Sequence, residues 1–139
     1  GVVKTLACSR FWAQKTGRAA RPAPAALSMA GGASALEDMI RATRRGILVT
    51  RVWYTNMLDP QTLLLTGLTR DGNFLIENGE IVGPARNFRF NESLIAMLSN
   101  IEAIGPSERI HGGDLHGAPV AAPPLLVRNF TFSSRSAGI

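Results

Sequence analysis

Two dipeptides that favour positive φ angles lie close together in the middle of the chain and constrain its fold more than any other feature. Asp71-Gly72 and Asn78-Gly79 each supply the residue pair that a two-residue type I′ hairpin turn requires. The residues around them are rich in branched and aromatic side chains, as strands are. The spacing predicts an antiparallel meander with strands over 61–70, 73–77 and 80–82.

The signals on either side of this meander predict two short helices. The first is predicted over 34–46, because Ser34 and Glu37 have capping-box spacing and Gly46 offers a left-handed stop. The second is predicted over 91–102, with an asparagine as its N-cap. The sequence therefore predicts an α+β fold, either a predominantly antiparallel twisted sheet or a barrel-like meander, with two short helices.

The length of 139 residues corresponds to one ordinary domain, so we interpret residues 1–139 as a single domain. We expect a proline- and glycine-containing connector over 17–33, the meander over 47–90 with a break at Gly83-Pro84, and a closing strand over 123–132. Because the chain begins with glycine rather than methionine, we interpret it as a fragment of a longer protein.

Composition excludes several classes of protein. Apolar residues make up 45% of the chain, but no uninterrupted run approaches the roughly 20 residues that span a bilayer, so we expect a soluble protein with no membrane partner. The lone Cys8 cannot form an internal disulfide, which favours a reducing compartment. Lys4 and Arg10 could activate its thiol, but a buried and inert cysteine is the favoured interpretation.

The net charge of +5 and the alternating segment 86–90 raise the question of nucleic-acid binding. Arg86 and Arg89 could pair with phosphates while Phe88 and Phe90 stack on bases. Acidic residues lie among these arginines, and paired phenylalanines on one strand face usually belong to a core. We therefore expect these rings to be buried and nucleic acid to be an unlikely partner.

One glycine-rich loop contains both histidines of the chain. His111, Asp114 and His116 are residue types that bind Zn²⁺, but they offer at most three ligands on one loop, and loop histidines are more often simply solvated. The sequence contains no HExxH helix, no GxSxG elbow and no phosphate-binding loop. We therefore predict no catalytic residue in this chain.

Several segments resemble, in shared order and spacing, the C-terminal region of the TldD/PmbA family of zinc metallopeptidases, whose members were formerly called modulators of DNA gyrase. These segments are SRFWAQKTG at 9–17, MAGG at 29–32, GILVTR at 46–51, the meander at 66–90 with IENGEI at 76–81, and PPLLVRNFTF at 123–132. The resemblance covers most of the chain.

The resemblance implies a cytoplasmic protein that takes part in proteolysis as a homo- or hetero-dimer with a related subunit. In this family two subunits enclose a cavity that admits unfolded peptide. This chain would then be the C-terminal domain that shapes the substrate cavity and the subunit interface. The alternative is a non-catalytic interaction module that assembles with an active paralogue or a regulatory partner.

The resemblance also bears on metal binding. In metal-binding members, two histidines and a glutamate lie on an upstream HExxxH helix, and a cysteine in the C-terminal region is the third protein residue that binds the metal. The helix is absent here, and His111 stands at the position that matches the cysteine. Zinc is therefore possible in the full-length parent with His111 as one ligand, whereas we expect no metal and no activity for this chain alone. In family branches without the zinc histidines, His111 would be an ordinary loop residue.

Overall fold

The structure is a computed structural model and describes residues 2–111 and 119–135. The chain divides into two compact units, which we call unit 1 and unit 2. Unit 1 comprises 1–30 and 107–122, and unit 2 comprises 31–106 and 123–139. The predicted α+β class with mostly antiparallel strands is confirmed.

The described residues form three short helices, one more than predicted, and ten strands in open sheets. The helices are α1 (Arg10–Thr16), α2 (Leu36–Ala42) and α3 (Leu94–Ser99). The strands are β1 (Leu27–Ser28), β2 (Arg45–Asp59), β3 (Leu64–Glu77), β4 (Glu80–Ala85), β5 (Phe88–Ser93), β6 (Ile101–Ile104), β7 (Glu108–Ile110), β8 (Val120–Ala122), β9 (Leu125–Val127) and β10 (Phe132–Arg135).

Unit 1 contains α1 and a small three-stranded sheet. Strand β8 lies at its centre, parallel to β1 and antiparallel to β7. Helix α1 begins after Ser9, whose hydroxyl accepts a hydrogen bond from the Trp12 N–H at 3.3 Å, and ends at Gly17 with φ of 67°. Residues 2–6 include branched side chains that are typical of strands, but they form no strand in the part of the chain that the structure describes.

Unit 2 is built around β3. Strand β2 pairs with β3 along nearly its whole length on one side. On the other side, β5 pairs with the first residues of β3 and β4 pairs with its last residues. Strand β10 extends this sheet beyond β5, while β6 and β9 form a separate antiparallel pair. Strand β3 is thus the element that joins most of the sheet.

The predicted hairpin at Asp71-Gly72 is wrong, because β3 continues straight through this dipeptide. Val49 pairs with Asn73 and Arg51 pairs with Arg70, so that Asp71 and Gly72 lie opposite Thr50 alone. The two residues have φ of 64° and 141° and form a β-bulge. Pairing with the long strand β2 extends the ladder on both sides of the dipeptide, and this outweighs its local turn preference.

The second predicted turn, Asn78-Gly79, is confirmed as the β3–β4 hairpin. Its two residues have φ of 50° and 84°, and Glu77 pairs with Glu80 across it. The tip of the hairpin docks on the residues that follow α2, since Asn78 N–H donates to the Arg44 carbonyl at 2.7 Å and Gly79 N–H donates to the Thr43 carbonyl at 3.0 Å.

Gly83-Pro84 does not break the ladder as predicted. Both residues lie within β4, where Pro84 pairs with Phe74 and Gly83 pairs with Leu75. Proline lacks the N–H that a central strand needs, but it is tolerated on an edge strand. Among the described residues β4 pairs with β3 alone, so Pro84 lies on such an edge.

Helix α2 is shorter than the predicted range 34–46, and the predicted capping box does not form. Its N-cap is Ala35, without a side-chain hydrogen bond, while the Ser34 N–H donates to the Ile104 carbonyl at 3.1 Å. At the other end Thr43 is already extended, and Gly46 lies in β2 opposite Ile76. The pairing of β2 with β3 therefore ends this helix before Gly46.

Helix α3 is likewise shorter than the predicted range 91–102. Asn91, predicted as its cap, lies in β5 opposite Thr66, and Ile101 lies in β6 opposite Val127. The N-cap is Ser93, which makes no side-chain cap hydrogen bond. Sheet pairing at both ends thus leaves a helix of only six residues.

The predicted closing strand over 123–132 is two strands in different sheets. Strand β9 pairs with β6, the chain turns through Asn129 with φ of 54°, and β10 pairs with β5. The predicted connector over 17–33 is mostly irregular and contains the two-residue strand β1. No helix in the described part of the chain is long and apolar enough to cross a membrane.

The core of unit 2 contains Met39, Ile76 and Phe90. The Phe90 ring packs 5.5 Å from the Phe130 ring, measured between centroids, and closely against the backbone of Gly67. A Cβ atom on Gly67 would lie 2.5 Å from the Cζ atom of Phe90, so only glycine fits at this point of β3 without a shift of the ring.

We expect Gly79→Ala to destabilise unit 2 by about 1–3 kcal/mol, the usual range for a strained backbone site. Gly79 has positive φ, and an added Cβ would lie 2.7 Å from the Arg41 carbonyl oxygen. Gly83→Ala is the matched control, since an added Cβ there meets nothing within 4 Å. Urea unfolding of the two variants measures the difference, and equal loss of stability in both would contradict this account of the hairpin.

Candidate functional site

The structure places His111 at the base of a hairpin. Strand β7 ends at Ile110, which pairs with Val120 of β8, so that His111 is the first residue beyond the last pair. Its side chain is exposed. The other two candidate ligands, Asp114 and His116, lie outside the described residues.

The described residues contain no group of three or more His, Cys, Asp or Glu side chains that could hold a metal ion. His111 therefore offers one imidazole, open to solvent and next to the last residue pair of β7 and β8. An exposed imidazole can occupy one position around zinc, which usually takes four ligands. Its role as a metal ligand stays a prediction.

Cys8 is half-buried and held by the backbone of unit 1. Its N–H donates to the Arg21 carbonyl and its carbonyl accepts from the Arg21 N–H, both at 2.9 Å. The thiol itself donates to the Ser9 carbonyl oxygen at 3.8 Å. These backbone contacts join the two ends of the segment 8–21, which contains α1.

The phenylalanines of the 86–90 segment pack within the sheet instead of presenting free faces. Phe90 is 4% exposed, and Phe88 lies half-buried with its ring centroid 5.0 Å from that of Phe132. This confirms the core interpretation for Phe90, whereas Phe88 is only half-buried. The Arg89 guanidinium donates to the Thr66 hydroxyl at 3.4 Å, across the β3–β5 pair.

A buried polar cluster that the sequence did not reveal fixes the start of β5. Thr69 and Asn73 are each 2% exposed on β3. The Thr69 hydroxyl accepts from the Phe88 N–H at 2.9 Å, and the Asn73 amide donates to the Asn87 side-chain oxygen at 2.7 Å. None of these groups changes charge near neutral pH, so the cluster positions the chain and does no proton chemistry. No sequence signal separates these two residues from ordinary strand residues.

The end of β2 that is farther from α2 is the most unusual surface of unit 2. From Tyr54 to Leu58 every residue is exposed, so both faces of the strand are open to solvent there. Tyr54 has φ of 53° and is 65% exposed, in a bulge where Tyr54 and Thr55 lie opposite Gly67. Positive φ is rare for a bulky residue, and such strain often marks functional sites.

Charged and aromatic side chains flank this bulge on β2 and β3. The Arg70 guanidinium lies 4.3 Å from the Trp53 ring centroid, a cation–π geometry. Asp71, in the second bulge, accepts from Arg51 at 2.5 Å and lies 3.6 Å from the Arg70 Nε. Side-chain contacts therefore connect Asp71 of the second bulge through Arg70 to Trp53, the residue that precedes the first bulge.

The turn that joins β2 to β3 is organised by Asp59. Its carboxylate accepts from the Thr62 hydroxyl at 2.6 Å and from the Gln61 N–H at 2.9 Å. The Thr62 hydroxyl, followed by the Gln61 N–H, holds the pKa of the Asp59 carboxyl below its ordinary value, because both donors stabilise the charged form.

Comparison with known proteins identifies one family, and two solved structures have a similar fold. Residues 1–134 match the family described as PmbA/TldA metallopeptidase C-terminal domain. The structure is similar to that of TldE from Thermococcus kodakarensis, with a TM-score of 0.77 and 18% identity, covering 94% of this chain and 31% of that one. It is also similar to a candidate modulator of DNA gyrase from Bacteroides thetaiotaomicron VPI-5482, with a TM-score of 0.73 and 24% identity, covering 96% of this chain and 29% of that one.

The chain thus spans about a third of the length of the solved structures it resembles. At these identities the two structures support the fold alone. No curated protein matches the sequence.

The lowered pKa of Asp59 predicts a specific dependence of stability on pH. A carboxyl whose pKa is lower in the folded state than in the unfolded state stabilises the fold at pH values above the unfolded pKa, which is about 3.9 for aspartate. This stabilisation is lost as the pH falls through the folded value. We therefore expect the stability difference between wild type and Asp59→Asn to be present near neutral pH and to vanish in acid.

Urea unfolding across the acid range measures this difference. Thr62→Val is the companion variant: removal of the hydroxyl, the main cause of the shift, should flatten the pH dependence while Asp59 remains. A difference between wild type and Asp59→Asn that stays constant over that range would show that the carboxylate charge does not stabilise the turn.

Proposed function

Because the chain belongs to the PmbA/TldA metallopeptidase C-terminal domain family, we propose that it acts in proteolysis as the C-terminal domain of a cytoplasmic metallopeptidase. In this role it shapes a cavity for unfolded peptide and forms the interface with a related or identical subunit. Since the chain spans about a third of the structures it resembles, the activity belongs to a larger assembly.

The observation that carries this proposal is the open edge of β2. This 15-residue strand is the last in its sheet, and within the described chain its outer edge has no partner strand. A free edge presents backbone N–H and C=O groups to an extended polypeptide, and proteins usually protect such edges. An exposed edge of this length supports a role in contact with another chain.

The side chains at the outer part of β2 support the same role. Tyr54, Met57 and Leu58 are each at least half exposed, and Leu63 adds a further apolar side chain in the adjoining turn. Contiguous exposed apolar groups of this kind mark interaction sites in soluble proteins. The bulge at Tyr54 interrupts the regular pairing of this edge, and bulges are common near functional sites.

The proposal includes zinc only as a metal ion that His111 would bind together with residues outside this chain. The exposed imidazole of His111 fits one coordination position, and no described residue near it completes a donor set. Bound zinc in a metallopeptidase polarises the carbonyl or activates water. His111 would hold the metal from one side, and the general base and the remaining ligands would come from elsewhere in the parent.

The alternative proposal is a non-catalytic interaction module that assembles with an active paralogue or a regulatory partner. The exposed apolar end of β2 favours it as much as it favours the first proposal. The two proposals differ in whether His111 binds metal in the assembled protein.

We expect this chain alone to bind Zn²⁺ only weakly and to leave casein uncleaved, because one described imidazole cannot replace a complete site. In a full-length parent with the HExxxH helix, His111→Ala should remove bound zinc while the matched variant His116→Ala should retain it. Metal analysis of the purified variants measures this. Equal zinc content in the unsubstituted parent and in His111→Ala would exclude His111 as a ligand and favour the interaction module.

The interface role predicts self-association through β2. Leu58→Asp should raise the dissociation constant of the dimer by at least about tenfold, because a charge in an apolar contact is costly to bury. Val82→Asp is the matched control on β4, where the valine is similarly exposed. Sedimentation equilibrium measures both. Equal effects of the two substitutions, or a monomer at every concentration, would contradict a homodimer through this edge.

A further inference from the structure

Helix α1 presents an aromatic pair to solvent on the face opposite its buried side. Ala13 is buried, whereas Phe11 and Trp12 are 66% and 53% exposed. Their rings meet edge to face at 5.4 Å between centroids, and the Lys15 ammonium lies 5.8 Å and 5.2 Å from the two centroids. We call this group, with Gln14, the α1 surface. Phe11, Gln14 and Lys15 line a shallow depression on it.

The segment that contains the α1 surface is basic and free of acidic residues. No aspartate or glutamate precedes Glu37, and the five basic residues before it are all exposed. They are Lys4, Arg10, Lys15, Arg18 and Arg21. In the described part of the chain none of them forms an ion pair.

The charge of the molecule is therefore concentrated in unit 1. Unit 1 contains six of the 15 basic residues and only two of the ten acidic ones. The remaining nine basic and eight acidic residues lie in unit 2 and nearly balance. A basic surface with exposed aromatic rings is complementary to a partner that carries carboxylates beside apolar side chains.

We propose that the α1 surface binds an acidic polypeptide segment in which carboxylates alternate with apolar side chains. The apolar side chains pack on Phe11 and Trp12, and the carboxylates pair with Lys15 and its basic neighbours. Aromatic anchors surrounded by complementary charge are typical of binding hot spots. This surface lies in unit 1, whereas the β2 edge belongs to unit 2.

The geometry favours a polypeptide over the two other common anionic partners. The rings of Phe11 and Trp12 meet at 80°, and Lys15 lies over both, so they offer no parallel free faces on which successive bases could stack. Helix α1 has seven residues, too few to lay a long apolar face into a lipid interface. Nucleic acid and lipid are therefore alternative outcomes of the test.

The test uses the whole chain and a synthetic peptide of alternating glutamate and leucine. Trp12 reports binding by its fluorescence in the Trp53→Phe background, and calorimetry on the wild-type chain gives the same comparison if that variant is unstable. We expect saturable binding that weakens at high salt and is lost when glutamine replaces glutamate. Lys15→Glu and Phe11→Ala should each weaken binding about tenfold, a moderate hot-spot effect.

The matched control is Arg45→Glu, which makes the same change of charge at an exposed residue of unit 2. It should change the affinity for the peptide by less than about twofold, because Arg45 is not part of the α1 surface. Equal weakening by Arg45→Glu and Lys15→Glu would overturn the proposal by showing that net charge alone drives binding. Binding of single-stranded oligothymidine or phosphatidylglycerol vesicles in preference to the acidic peptide would also overturn it.

Discussion

The backbone pairing of β3 on both of its sides is the constraint on which the rest of unit 2 depends. This strand bonds to β2 along one edge and is shared between β5 and β4 along the other. A strand paired on both edges leaves its backbone groups satisfied and fixes the register of its neighbours. The end of α2 and the start of α3 follow from this pairing, because β2 begins after α2 and β5 runs up to the start of α3.

The position of β3 between its neighbours also explains why two of its polar residues are buried. Thr69 and Asn73 use their side chains to bond the residues that enter β5, so the irregular 86–87 connection is held without a regular ladder. A buried polar group is costly unless it is bonded, and these bonds offset that cost for the Thr69 hydroxyl and the Asn73 side-chain N–H. The close contact between Gly67 and the Phe90 ring fixes the same β3–β5 pair by packing.

The α+β class, the Asn78-Gly79 hairpin and the buried phenylalanines were predictable, because each depends on local turn chemistry or on apolar character. The Asp71-Gly72 bulge was not, since the dipeptide accepts positive φ equally well in a turn or in a bulge, and only the length of β2 decides between them. The ends of both predicted helices were missed because pairing between distant strands sets them: β2 follows α2, and α3 lies between β5 and β6. At the candidate site, the sequence led to His111 through family resemblance, but it gave no sign of the exposed end of β2.

The strain at Tyr54 and the openness of the β2 edge are best understood together. A bulky residue at positive φ costs about 1–3 kcal/mol, and it persists only where the surrounding structure enforces it. Here the ladder enforces it, because Trp53 pairs with Leu68 and Asn56 with Thr66, leaving two residues of β2 opposite Gly67. The Asn56 amide also donates to the Tyr54 carbonyl at 3.0 Å across the bulge. The pairing of β2 with β3 thus stabilises the bulge at Tyr54 and leaves the Tyr54 side chain exposed to solvent. This arrangement is expected where an edge strand contacts another chain.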